Sequence, residues 1–315
     1  MKPLKINRTN DALFKYIFAN EQYKLITLDF INSVFEFRGL AGITDLEFLD
    51  RELSAEGEKQ KSSRLDFLAR CSDGSKINIE IQVVQIKGMD KRTLFYWCRV
   101  YNDLKEGEDY NDLCRTVSII ILDFEISDKK QYPAFHSVFG LYDNLTGNKF
   151  SDDLEIHVIE LPKWKLQIMG DDQKPDREKI KELRRLEKWV SYFSKRTKGE
   201  ELEAIAMSEP RIKEALAAQT IFRRDKDSWG EYQDAEKQKS DEKAIRRTAL
   251  EEGEARGLKK GEKIGEKRGE KRGEKIGEMN MLHLLYKNGA ISLDVAASNA
   301  GKTVSQLRKL WKLDS

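Results

Sequence analysis

The chain lacks the residue patterns of secreted disulfide-linked proteins and of zinc proteins. Its 315 residues include three cysteines, Cys71, Cys98 and Cys114, which form no CxxC pair and are odd in number. This usage is typical of a reduced compartment and excludes a disulfide framework. The three histidines, scattered through the chain, show no zinc spacing with the cysteines, so a structural zinc site is not expected.

Long apolar runs and proline are also scarce. The sequence has no run of about 18 apolar residues, and its first residues lack an apolar signal core, so we expect a soluble cytoplasmic protein. Only 5 prolines interrupt the chain, which permits long helices. Basic and acidic residues nearly cancel, 57 against 55, so the charge pattern is informative only locally. With 39% hydrophobic residues, the chain can form a sizeable core within about two domains.

Residues 1–165 mix helical and strand patterns. Val117 to Phe124 is almost continuously apolar, which predicts a strand buried on both faces of an α/β sheet. Leu94, Phe95, Cys98, Tyr101 and Leu104 stand at helical spacing and predict the buried face of a helix. Core packing is favoured over base stacking for its aromatic residues. The other predicted elements are a helix capped by Asn10 and ending at Phe18, a helix at 25–35, and strands at 43–49, 64–70, 76–84, 135–141 and 154–161.

The strands 64–70 and 76–84 carry the residues that point most directly to chemistry. They flank Ser72-Asp73-Gly74-Ser75, a strong hairpin turn signal. Side chains alternate along a strand, so Glu80 and Gln82 share one face, and Asp66 can lie opposite them. Converging carboxylates suit a hard divalent cation and metal-dependent phosphodiester hydrolysis. The alternative is the outward-facing polar side of a half-exposed strand, which leaves a costly charge within an apolar run unexplained.

Several motifs in order along the chain resemble one protein family. They are Asn10–Phe18, Ser63–Phe67, Asn78–Gln82, and the segment from Lys91 to Tyr101 with Gly107 and Tyr110. Together they resemble the recombination-promoting nuclease and transposase family of the PD-(D/E)XK nuclease superfamily. The resemblance implies a restriction-endonuclease-like mixed sheet flanked by helices, here followed by an α-helical C-terminal region. It also implies magnesium-dependent DNA cleavage, with Mn2+ as a substitute, linked to recombination or transposition.

The resemblance also assigns roles to individual residues. Asp66 and Glu80 correspond to the metal-binding acids. Gln82 falls where the superfamily usually has lysine, and Glu-x-Gln resembles the variant of this family. Asp11 resembles an additional acidic position that reaches the metal through water, or it is a helix-start residue favoured by the dipole.

Gln82 can orient water by hydrogen bonding but supplies no positive charge. Lys87, Lys91 and Arg92 follow closely in the sequence. Any of them could compensate, or they are ordinary solvated bases at a helix start.

The remaining residues predict a helical region in three parts. Residues 166–233 form a helical extension, with helices at 176–193, 200–207 and 211–222. Residues 234–280 carry a glycine every fourth position, mostly as Gly-Glu-Lys-x. The repeat predicts a solvated, marginally helical tether, or else a helix whose glycines allow close helix approach.

Residues 281–315 resemble a small helix-turn-helix segment. Its second helix would direct Gln306, Arg308, Lys309 and Lys312 towards DNA. The alternative is a helical hairpin used for oligomerisation or docking.

Two function classes therefore compete. One is a metal-dependent DNA endonuclease, which we expect to act on DNA without a nucleotide cofactor or a membrane, and for which a homodimer suits double-strand cutting. The other is a nucleic-acid-binding or assembly protein, inactive or weakly active, that keeps a degenerate nuclease core. A defence or toxin-like nuclease needs the same chemistry as the first.

Overall fold

The structure of the protein is a computed structural model that describes residues 6–50, 52–53, 63–104, 107–126 and 132–313. It separates into two units, Met1–Glu242 and Lys243–Ser315. The finer division at residues 165, 233 and 280 remains a prediction. Within the described residues, every helix is too short or too polar to cross a membrane.

A mixed six-stranded sheet organises the first unit. Its strands, in spatial order, are β1 (Leu46–Phe48), β4 (Phe67–Cys71), β5 (Lys76–Gln82), β6 (Thr116–Leu122), β8 (Lys149–Glu160) and β7 (His136–Tyr142). The strands β5, β6 and β8 run parallel, and the others pair antiparallel with their neighbours. Two short strands, β2 (Glu52–Leu53) and β3 (Ser63–Arg64), form a separate ribbon. This sheet and its flanking helices confirm the predicted fold class.

The predicted hairpin is present, but its first strand is shorter than expected. Arg64 ends β3, a bend follows at Asp66, and β4 begins only at Phe67. Gly74 has φ 83° in the turn, a left-handed conformation that glycine adopts without a Cβ penalty. Asp66 therefore lies just outside the regular strand, where the backbone leaves the sheet.

Helices cover both faces of the sheet. On one face lie α1 (Asp11–Phe18) and α2 (Lys24–Arg38), whose apolar side chains share a core with Ile77, Ile79 and Ile81. The Asn10 side chain caps α1 by accepting hydrogen bonds from the amides of Ala12 and Leu13, as predicted. The 3-10 turn Glu21–Tyr23 joins the two helices.

The opposite face is covered by α3 (Met89–Tyr101), but the buried side of this helix differs from the predicted one. Leu94 and Phe95 are about half exposed at 47% and 52%, while Trp97 is buried and donates its indole N–H to the carbonyl of Thr116 at 2.8 Å. The prediction that Leu94, Phe95 and Cys98 form the buried face is therefore wrong. Burial instead follows Met89, Thr93, Trp97 and Val100, and the buried indole N–H finds its acceptor in the Thr116 carbonyl.

The helical extension packs onto the same core. Its helices are α4 (Arg177–Glu182), α5 (Arg185–Phe193), α6 (Gly199–Ser208) and α7 (Pro210–Arg224), with further 3-10 turns at Tyr110–Asp112 and Leu161–Lys163 earlier in the chain. The single helix predicted at 176–193 is thus two helices. Trp189 and Phe193 of α5 contact Phe18 and Phe30, with ring centroids 5.4–5.9 Å apart.

The glycine repeat lies in α8 (Lys226–Lys287), a helix of 62 residues. All seven repeat glycines have open space where a Cβ would stand, so no neighbouring helix contacts them in the described structure. In the second unit, α9 (Leu293–Asn299) and α10 (Val304–Trp311) bury Ala296, Ala297 and Leu307 against each other.

Candidate active site

Asp66 and Glu80 face each other at the end of the β4–β5 ladder. The ladder pairs Phe67 with Ile79, so the next position pairs Asp66 with Glu80. The Asp66 amide donates to Glu80 Oε1 at 3.3 Å, and the Ile81 amide donates to Asp66 Oδ2 at 3.0 Å. Each carboxylate therefore accepts a hydrogen bond from the backbone of the other segment, which fixes the pair in position.

Both carboxyls are buried, with Asp66 9% and Glu80 3% exposed. Burial raises the pKa of Asp66 to about 6, and the charge of Asp11 adds to the effect. Burial likewise raises the pKa of Glu80 to about 8, and the charge of Asp66 contributes. Negative charge is therefore unfavourable here unless a cation offsets it. The burial also argues against the alternative of an outward-facing polar strand.

Asp11 joins the pair from the first turn of α1. Its carboxyl shares a hydrogen bond with that of Asp66, which favours an ionised Asp11 beside a protonated Asp66. Burial raises the pKa of Asp11, but the hydrogen bond and charge of Lys15 outweigh this and leave that pKa lowered. The structure thus brings together the three acids that the sequence singled out.

Lys15 is the site residue that sequence reasoning missed. Its Nζ lies 2.8 Å from Asp11 Oδ2 and 3.4 Å from Asp66 Oδ1. The signal was present as an Asp–Lys pair four residues apart on α1, which places both side chains on one helix face. Lys87, Lys91 and Arg92 are the basic residues that follow β5 in the sequence, whereas Lys15 comes from α1.

Gln82 and the bases near it occupy the same end of the sheet. Gln82 is the last residue of β5, half buried and on the same strand face as Glu80, and its carbonyl accepts from the Asp123 amide at 2.9 Å. Arg92 lies on α3 with its guanidinium 4.7 Å from the centroid of the Tyr96 ring, and its charge acts on Glu80. Lys87 and Lys91 are exposed.

The beginning of α8 fixes the position of α1. The Asn10 side-chain amide donates to Glu236 Oε1 at 2.9 Å and to the Tyr232 carbonyl at 3.1 Å. The side-chain amide of Asn7 donates to the same Glu236 oxygen at 2.8 Å. Asn10 caps α1 with its side-chain oxygen and binds α8 with its nitrogen, so these contacts help to fix where Asp11 and Lys15 of α1 lie.

Further positive charge comes from α8. Lys239 Nζ donates to the Thr9 carbonyl at 3.4 Å. Burial lowers the pKa of Lys239, against the opposing charges of Asp11, Glu236 and Asp66. Basic groups from α1, α3 and α8 thus surround the buried acids, an arrangement that attracts a phosphate-bearing ligand.

The donor chemistry of the three acids fits a hard divalent cation, which prefers carboxylate oxygens. Within the part of the chain that the structure describes, no group of three or more His, Cys, Asp or Glu side chains is arranged to hold a metal ion. Backbone amides donate to one oxygen each of Glu80 and Asp66, and Lys15 forms an ion pair with Asp66. The acids therefore have oxygen ligands suited to a divalent cation, but in this structure those oxygens accept hydrogen bonds and an ion pair from the protein itself.

The residues predicted to contact DNA lie in the second unit. Gln306, Arg308, Lys309 and Lys312 are all exposed on or just after α10. Gln306 also has a local role, since its Oε1 accepts from the Thr303 amide at 3.0 Å and completes a capping box. Lys312 ends the helix with φ 54°.

Comparison with known protein families gives a match over most of the chain. The model of the family described as PD-(D/E)XK nuclease family transposase matches residues 8–249. The matched region includes the sheet, the three acids, Lys15, and the part of α8 that binds Asn10. Neither the curated proteins nor the solved structures contain a match to the chain.

Proposed function

The chain belongs to the PD-(D/E)XK nuclease family of transposases, and on that premise we propose that it is a magnesium-dependent DNA endonuclease linked to recombination or transposition. The observation that carries the proposal is the buried pair Asp66 and Glu80, with Asp11 hydrogen-bonded to it. Two buried carboxyls with a third, partly exposed acid beside them are costly in a protein that does not use them. A bound cation would offset the free-energy cost of burying these carboxylates.

Each acid has a separate part in the proposed reaction. Asp66 and Glu80 would hold Mg2+ or Mn2+ directly, and Asp11 would do so through water. A bound cation polarises the scissile phosphate and lowers the pKa of a water ligand. Gln82, on the Glu80 face of β5, orients the attacking water by hydrogen bonding.

A second candidate is a nucleic-acid-binding or assembly protein on an inactive nuclease core. Two observations favour it: Gln82 stands in place of a lysine, and protein donors engage the acid oxygens. It predicts salt-sensitive DNA binding without Mg2+ or Mn2+ binding in titration calorimetry. Metal binding that disappears in Asp66→Asn argues against this candidate.

The exposed bases of α10 and the cysteines support two further parts of the proposal. Arg308, Lys309 and Lys312 are exposed and would contact DNA phosphates, and an unchanged DNA affinity in Lys309→Ala would count against that role. The free cysteines of the described chain agree with a cytoplasmic location. Double-strand cutting suits a homodimer, which a monomeric mass in light scattering would refute.

The deciding experiment is plasmid cleavage in the presence of Mg2+ or EDTA. We expect wild-type protein to nick or linearise the plasmid only with Mg2+, and Asp66→Asn and Glu80→Gln to lose the activity while remaining folded by circular dichroism. Glu47→Gln is the matched control, because Glu47 is an exposed acid on β1 of the same sheet. Cleavage at the wild-type rate by both site variants would refute the proposal.

A further inference from the structure

The proposed reaction leaves one requirement unmet on β5. Phosphodiester hydrolysis places additional negative charge on the scissile phosphate, and a preorganised positive group beside the cation stabilises it. Gln82 is neutral and cannot supply that charge. A cationic side chain from another element would add to the charge stabilisation that the cation gives.

Lys15 lies where such a group is needed. Its ammonium group contacts Asp66 Oδ1 at 3.4 Å and Asp11 Oδ2 at 2.8 Å. Its charge also acts on Glu80. An ammonium group within reach of these acids lies beside any cation that they bind, and therefore beside the phosphate that the cation would polarise.

The helix that carries Lys15 is held firmly in place. Leu13, Phe14, Ile17 and Phe18 of α1 are 0–1% exposed in the main core. At the start of the helix, the Asn10 side chain binds both Tyr232 and Glu236 of α8. The backbone of Lys15 is therefore held in position while its side chain can move, and that side chain is only 27% exposed. This differs from an exposed i,i+4 ion pair, which contributes only a few tenths of a kcal/mol.

The other bases around the acids already have different contacts. The Arg92 guanidinium lies over the Tyr96 ring, and Lys239 donates to the Thr9 carbonyl. Lys15, in contrast, forms an ion pair with Asp66 itself, with its Nζ 3.4 Å from Asp66 Oδ1.

We propose that Lys15 of α1 supplies the positive charge at the scissile phosphate that Gln82 of β5 cannot supply. The inference rests on the proposed nuclease function. Lys15 and Gln82 would then share the roles of the lysine that the superfamily usually has on this strand. Lys15 on the helix supplies the charge, and Gln82 on the strand supplies the hydrogen bond that orients water.

The test relocates the charge between the two positions. Lys15→Gln removes it, Gln82→Lys adds it on β5, and the double variant moves it from helix to strand. Lys24→Gln is the matched control, because Lys24 begins α2 and pairs with Asp45 at 2.7 Å, on a surface carboxylate outside the acid site. Cleavage of plasmid with Mg2+ is measured for each protein, alongside Mg2+ binding by calorimetry without DNA.

We expect Lys15→Gln to reduce cleavage about 10²- to 10³-fold, as loss of one preorganised electrostatic group does. It should bind Mg2+ at least as tightly as wild type, because a competing cation has been removed. Lys15→Arg should retain more activity than Lys15→Gln. The double variant should recover at least about tenfold over Lys15→Gln, and Lys24→Gln should match wild type.

Three results would overturn the inference. Lys15→Gln could cleave at the wild-type rate, the double variant could be no better than Lys15→Gln, or Lys15→Gln could lose Mg2+ binding together with cleavage, which would make Lys15 a structural residue. In each of these cases an active wild type leaves the nuclease proposal standing. A wild type that does not cleave with Mg2+ refutes the proposed function itself, and this inference with it.

Discussion

Glu80→Gln should change how the stability of the metal-free protein depends on pH. Burial beside Asp66 raises the pKa of Glu80 from 4.5 to about 8 in the folded protein. The charged or titratable groups that interact electrostatically with the Glu80 carboxyl are Asp66, Lys15, Arg92 and Tyr96. A folded-state pKa above the unfolded value contributes stability at low pH that is lost as pH rises towards 8.

The size of the effect follows from proton linkage. Between the unfolded and folded pKa values, one additional bound proton changes the free energy of unfolding by about 1.4 kcal/mol per pH unit. The full loss from pH 5 to pH 8 is on the order of several kcal/mol for the wild type. Glutamine remains neutral, so this contribution to the pH dependence is absent from the variant.

The measurement is urea unfolding in EDTA at pH 5.5, 7 and 8.5, followed by tryptophan fluorescence. The signal comes mainly from the first unit, which contains Trp97, Trp164, Trp189 and Trp229. We expect the variant to gain stability relative to the wild type at each step of rising pH. A stability difference that stays constant across this range would refute the argument that Glu80 is protonated when buried. Subtracting the two curves cancels other groups, such as His136, whose pKa burial lowers to about 3.

Two further predictions concern α8. Glu236→Ala removes the acceptor shared by Asn7 and Asn10, and should lower the free energy of unfolding by about 1–3 kcal/mol and reduce cleavage. The exposed Glu242→Ala serves as control, and equal urea midpoints for both variants would contradict the role of α8 in holding α1. Gly261→Ala should raise helix content and stability by up to about 1 kcal/mol, since a Cβ meets nothing within 4 Å. A lower thermal midpoint by circular dichroism would indicate that the glycine approaches a partner.

Local sequence signals predicted the elements that depend on interactions between residues close together in the chain. The turn at 72–75, the Asn10 cap and the apolar run of β6 each depend on residues close together in the chain, and each is present in the structure. The same reasoning placed Asp66 on the strand opposite Glu80 and Gln82, because strand register follows from the hairpin, and the structure pairs it with Glu80. The role of these acids in catalysis stays a prediction.

Other features depend on contacts that sequence patterns do not contain. The buried face of α3 is set by Trp97 reaching the Thr116 carbonyl, and the spacing of Leu94 and Phe95 could not reveal that. Lys15 comes to the acids from a separate helix. Glu236 binds Asn10 across 226 positions of the chain, and no local rule connects two such distant residues.

The contact between Asn10 and α8 has a consequence for the growing polypeptide. The acids of α1 and the strands are synthesised first, but the groups that bind Asn10 belong to residues 232 and 236. At about 5–20 residues per second, some ten to forty-five seconds of translation separate the two. Until α8 has left the ribosome, the nascent chain contains Asp11, Asp66 and Glu80 but lacks the helix that binds Asn10 and holds α1 beside the other two acids. The order of synthesis therefore keeps the acid site incomplete until most of the protein has been made.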